Sequence, residues 1–226
     1  MKNVSLYIVP FLTLLVGCKE EPKPKVKYDS TAPKVEIKKD TSRLEIADLP
    51  LQFQNSNVLL YVIGDLRVGE MKKNGYEDKA NFTISNSLEE EVTGYLRNVK
   101  FQKVGEDSLH VLTDKVLMIE RMSYLKSKKM IVYVLADADT NQDLKVDSDD
   151  IKSLYLSTDM GKNFTKISPD VQELIDWNFI ENTNKVYFRT IEDANKNGEF
   201  DKKDKLHYFS VNLSEDWKSV EFSPVK

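Results

Sequence analysis

Two stretches decide how this chain reads: Val132-Tyr133-Val134-Leu135 followed by Asp139-x-Asn141-x-Asp143-x-Lys145-Val146-Asp147-x-x-Asp150, and Val186-Tyr187-Phe188 followed by Asp193-x-Asn195-x-Asn197-Gly198-Glu199-Phe200-Asp201-x-x-Asp204. Placing Tyr133 over Tyr187 aligns the two without a gap from the strand-like run to the last aspartate. Beyond the loops Leu154 and Tyr155 then meet Tyr208 and Phe209, and Ser168-Pro169 meets Ser223-Pro224 after a slip of one residue. A more distant copy places Tyr61 at the same point, with Leu59-Leu60 before it and Phe82 and Ile84 beyond a loop from Arg67 to Asp78. Such internal self-similarity marks a repeat architecture.

Each copy is rich in β-branched and aromatic residues around turn-forming ones, which predicts strands. An outer strand precedes each tyrosine (Leu51-x-Phe53, Val116–Ile119, Leu174–Phe179), and one or two follow the loop. The expectation is an all-β fold of three four-stranded antiparallel blade-like repeats, about 48–105, 106–169 and 170–226, as a propeller-like assembly or an open curved sheet. The third copy of the loop in chain order of kinship, that at Arg67, keeps the length and loses the oxygens: Arg67, Gly69, Met71 and Gly75 replace them.

Oxygen side chains fall at loop positions 1, 3, 5, 9 and 12 in both well-aligned copies, with a main-chain carbonyl expected at position 7. Calcium takes six to eight oxygens and is wrapped by such a twelve-residue loop. The expected ligands are Asp139, Asn141, Asp143, Lys145 (carbonyl), Asp147 and Asp150 in the first loop, and Asp193, Asn195, Asn197, Glu199 (carbonyl), Asp201 and Asp204 in the second. Position 6 demands a sharp turn that Gly198 makes freely and Leu144 does not. The expected affinity is the extracellular range of about 10⁻⁴ to 10⁻³ M. Strands, not helices, flank the loops, so the ion is expected to stiffen hairpins and not to act in a sensor.

Several resemblances follow from these residues. The loops are similar to EF-hand loops in spacing, to the hairpin calcium loops of integrin-type propellers over their first nine positions, and to dockerin loops in the closing acid. Ser157-Thr158-Asp159-Met160-Gly161-Lys162-Asn163-Phe164 resembles the Asp-box, a structural hairpin between the third and fourth strands of sialidase-like blades. The N-terminus carries Lys2, an apolar run from Val4 to Val16 and then Gly17-Cys18, which resembles a bacterial lipobox. Residues 1–17 then read as a signal peptide and Cys18 as the acylated residue, giving stable attachment to a membrane.

Lys19-Glu20-Glu21 resembles the surface-export signal of Bacteroidota lipoproteins, and Asp29-Ser30-Thr31 the short O-glycosylation motif of the same phylum. Residues 18–44 are Lys- and Pro-rich and read as a disordered tether before a β-repeat domain at 45–226. The resemblance implies an outer-membrane lipoprotein, exposed at the cell surface or else facing the periplasm, with an undetermined protein or glycan partner.

Composition excludes several classes. The 33 basic and 37 acidic residues leave no basic surplus for nucleic acid. The single cysteine leaves no disulfide and no thiolate site. His110 and His207 read as strand positions, and Trp177 and Trp217 as packing residues or an aromatic sugar platform. The five arginines are scattered along the chain, which speaks against a sialidase-like carboxylate clamp. A structural or binding module is therefore expected, ahead of a docking component of a glycan-uptake or envelope-assembly system and ahead of a propeller-type glycosidase. A pocket of paired carboxylates would favour the last. The segment Gln102–Lys115, longer than its counterparts, is the expected place for a partner-specific loop.

Overall fold

The computed structural model describes residues 23–28, 43–67 and 84–225. The signal peptide, Cys18 and most of the Arg67–Asp78 loop lie outside these residues. The described chain is all-β, with one short 3₁₀ turn at Glu181–Thr183. No helix among the described residues is long and apolar enough to cross a membrane.

Among the described residues, thirteen strands form two antiparallel sheets. The larger contains β1 (Arg43–Ala47), β2 (Val58–Arg67), β3 (Ser85–Ser87), β4 (Glu91–Lys103), β5 (Leu109–Val111), β6 (Met118–Leu125), β7 (Met130–Ala136), β8 (Lys152–Thr158) and β9 (Thr165–Lys166). The smaller contains β10 (Gln172–Ile180), β11 (Lys185–Glu192), β12 (Lys205–Asn212) and β13 (Ser219–Glu221), joined in that order. The runs β6-β7-β8-β9 and β10-β11-β12-β13 are both up-and-down meanders, and each has its acidic loop between its second and third strands.

The first unit departs from the expected pattern. β4 is long enough to pair with β2 and β3 along one edge and with β5 and β6 along the other, so the first unit merges with the second into one sheet. Three separate four-stranded blades are therefore not what the topology contains. Leu51 makes only an isolated bridge to Leu60, and the edge strand is β1 instead. The segment expected to offer a partner-specific loop is partly used as β5, laid against β4.

The alternation of burial sets the register after the second loop. Leu154 and Leu156 bury in the core shared by the two sheets, and so do Phe209 and Val211. The slip of one residue thus falls immediately after Asp204, earlier than Ser223-Pro224, and Lys152 corresponds to His207. A register without that slip would turn Phe209 and Val211 away from the core.

β7 is buried on both faces. Ile131, Tyr133 and Leu135 join a core with Leu60, Val62, Leu96, Val99, Phe101 and Ile119 from β2, β4 and β6. Met130 and Val132 face the other way and meet Leu174, Val186, Phe188, Phe209 and Val211 of the second sheet. The expected Asp-box segment forms the β8–β9 hairpin. Its Thr158 and Lys162 pair through backbone and side chain, and Gly161 takes φ +71° directly over the Phe101 ring, where no Cβ fits. Phe164 stacks on Tyr155 and meets Tyr133 edge-on.

Candidate metal centre

Both loops close by the same bonds. In the first, the Asp139 carboxylate accepts the N–H groups of Asp143 (3.0 Å) and Leu144 (2.8 Å). In the second, Asp193 accepts those of Asn197 (3.2 Å) and Gly198 (2.7 Å). Position 3 accepts from position 5 in each loop (Asn141 from Asp143, Asn195 from Asn197), and position 5 from position 7 (Asp143 from Lys145, Asn197 from Glu199).

The loop ends agree too. Asp147 accepts from Asp149, and Asp201 from Lys203. The closing carboxylates reach back over the loop: Asp150 accepts from Thr140 and Asp147, Asp204 from Ala194 and Asp201. Short polar side chains at these spacings satisfy the amides of a tight turn.

The backbone agrees as well. Positions 4 and 6 are left-handed in both loops: Gln142 at φ 60° and Leu144 at 70°, Lys196 at 56° and Gly198 at 84°. The left-handed conformation costs a branched residue such as Leu144 about 1–2 kcal/mol, and the strain is accepted in full view of solvent. Val146 at position 8 is buried with Met118 and Ala136, as expected. Phe200, its counterpart, is only half-buried and lies outside the core clusters.

The donor set suits a hard divalent cation, because every side-chain donor at positions 1, 3, 5, 9 and 12 is an oxygen, mixing carboxylates with amides. Lys145 and Glu199 would add carbonyls. Among the described residues no three His, Cys, Asp or Glu side chains converge to hold an ion by themselves. A site in either loop therefore depends on the amide and carbonyl donors as much as on the acids.

Several residues that support the loops carry no signal in the sequence. Arg97 on β4 donates to the carbonyl of Val146 (2.7 Å) and to Asp65 (2.9 Å), fixing the first loop to the first unit. Lys152 is buried, with Nζ on the carbonyls of Ser148 (2.7 Å) and Asp150 (2.6 Å). His207 is buried, with one ring nitrogen 2.9 Å from Glu192 and the other 2.8 Å from Glu221, pinning three strands at the exit of the second loop.

The largest surprise is the segment read as tether. Residues 23–28 lie across both loops. Lys25 and Lys27 donate their N–H groups to the carbonyls of Asp149 (3.1 Å) and Thr140 (2.8 Å) in the first loop, while Val26 between them donates to Gly198 (3.1 Å) in the second. An extended chain points successive amides to opposite sides, so one strand serves two partners. Thr140 returns a hydroxyl bond to the Lys25 carbonyl, and Val26 is buried. Tyr28 bonds to Asp193, and burial together with that carboxylate pushes its hydroxyl up to about 12.

Comparison with protein families, with curated proteins and with solved structures finds no match to this chain.

Proposed function

We propose that the chain is a membrane-anchored, calcium-stabilised β-repeat lipoprotein that serves as a structural or binding module at the bacterial envelope surface. The observation that carries this reading is the repetition of one bonding pattern in two loops 54 residues apart, down to the left-handed residues at positions 4 and 6. Turn preference alone asks for one or two of these bonds, not the same set twice. In this reading β6–β9 and β10–β13 are two blade-like units, and β1–β5 a modified first unit. Cys18, acylated, is the anchor, and the outer membrane is its location.

A dockerin-like role, in which the loops contact a partner, fits less well, because residues 23–28 of the chain itself cover both loops. The glycosidase reading draws no support from the arginines. Arg97, Arg121 and Arg189 each stand beside a carboxylate of their own: Asp65, Glu91 and Asp176.

Calcium titration of metal-free protein, followed by melting temperature, tests the proposal. At a concentration ten times its dissociation constant, each ion is expected to add about 1.4 kcal/mol. The Asp193→Ala/Asp204→Ala variant keeps only the part of the shift due to the first loop. A wild-type melting temperature indifferent to calcium would remove the metal from the proposal.

A further inference from the structure

Between the two sheets lies a cleft of about 650 Å³, walled by β4, β6, β7 and β8 on one side and β10 on the other. Ser148 of the first loop and Pro24 also line it. Three strands lose register at its walls. β4 and β6 slip between Thr93 and Leu96, β6 and β7 slip at Glu120, and β10 slips against β11 at Ile175. Tyr95, Glu120 and Ile175 are the residues left without a ladder partner, and all three line the cleft. A bulge re-aims the side chain that it frees. Three bulges aimed into one cavity make a built site and not a packing fault.

The chemistry of the lining selects the ligand. Lys152 spends its ammonium on two carbonyls, Arg121 stands 3.8 Å from Glu91, and Asp176 is paired with Arg189. The two cations of the lining, Lys152 and Arg121, thus already face protein oxygens. What remains is Glu120, with no hydrogen-bond or ion-pair partner among the described residues, and Glu173, which accepts only the Lys152 N–H (2.6 Å). Trp177, half-buried against the second core, and Tyr95, 67% exposed at the rim, supply aromatic surface.

We propose that this cleft binds a saccharide, packed against Trp177 and Tyr95 and hydrogen-bonded through Glu120 and Glu173. A few convergent polar groups on aromatic walls suit a ligand with apolar C–H faces and many hydroxyls. Burial, reinforced by Glu120, pushes the Glu173 carboxyl up to about 7, so that near neutrality it both donates to and accepts from hydroxyl groups. The inference deepens the binding-module reading and rests on it, but not on the metal.

The test is a glycan array probed with the full chain in calcium-containing buffer, with calorimetric titration of the saccharides retained. Wild type binds at least one saccharide. Glu120→Gln and Tyr95→Ala each weaken it about tenfold or more, by loss of a hydrogen bond to a carboxylate or of a stacking surface. Both substitutions sit at exposed or bulged positions, and unchanged melting temperatures establish that the variants fold. Glu173→Gln, which keeps a donor and an acceptor, retains more affinity than Glu173→Ala. The proposal is overturned if folded wild type takes no saccharide, if both variants bind as wild type does, or if tetramethylammonium occupies the cleft in place of any saccharide. Saccharide binding without a calcium shift removes the metal and leaves the cleft; the reverse result removes the cleft alone.

Discussion

Among the described carboxyl groups, Glu173 is the one that its environment pushes furthest from its ordinary range. Its carboxyl is pushed up to about 7 from an ordinary value near 4.5, first by burial and then by Glu120, against the opposing pull of Lys152. The folded protein therefore holds this proton more tightly than the unfolded chain does. The stabilisation is complete below about pH 4.5 and falls as pH rises through 7. Its full loss amounts to on the order of 2 kcal/mol, allowing for solvent at the cleft mouth. Melting curves from pH 5 to 8 should show this decline in wild type and lack it in Glu173→Gln; parallel curves would place the proton elsewhere. Asp137 works in the opposite direction. Burial raises its carboxyl, but Lys166 at 2.9 Å and the Tyr155 and Ser153 hydroxyls outweigh it and hold it low, so acid weakens this contact. No sequence pattern announces Glu173 or Glu120. Their roles arise from bulges, and a bulge is a property of two paired strands together.

At the scale of elements, the acidic loops were legible because their information is local. Oxygen side chains spaced two to four apart dictate which amides they satisfy, and Asp139 and Asp193 bond the same two positions in each loop. The meanders were legible for the same reason, since apolar alternation is local too. Two elements were not. β4 joins the first unit to the second by being long, and nothing in Glu91–Lys103 says which neighbours it takes. Residues 23–28, Lys-rich and poor in apolar residues, look like solvated chain; their order comes from partners more than a hundred residues away. Gly198 is the point at which this clasp is most easily broken. Its φ is +84°, and a Cβ there would lie 2.5 Å from the Val26 carbonyl oxygen. Gly198→Ala is expected to cost about 1–2 kcal/mol and to release the segment, so that limited proteolysis cuts near Lys25 and Lys27 sooner than in wild type. An unchanged cleavage pattern would mean that the segment holds without Gly198.

The two sheets pack on each other through one shared core. Met130, Val132, Leu154 and Leu156 of the larger sheet pack on Leu174, Val186, Phe188, Phe209 and Val211 of the smaller, while the opposite face of β7 belongs to the first core. Phe188, stacked on Phe209, is central to this contact. Phe188→Ala should cost about 3–5 kcal/mol and lower one cooperative transition by both near-UV and far-UV circular dichroism. Separate transitions would show that the sheets unfold independently. The clasp over the loops adds a temporal consequence. The segment at Val26 is made early in synthesis, whereas Thr140, Asp149 and Gly198 follow much later. Val26 cannot take its place until the β11–β12 loop has presented Gly198, whereas Lys25 and Lys27 need only the first loop. Closing such long spans is slow relative to forming hairpins. The segment at Val26 is thus expected to dock after the hairpins it bridges, and a chain interrupted before Gly198 would have only half a seat for it.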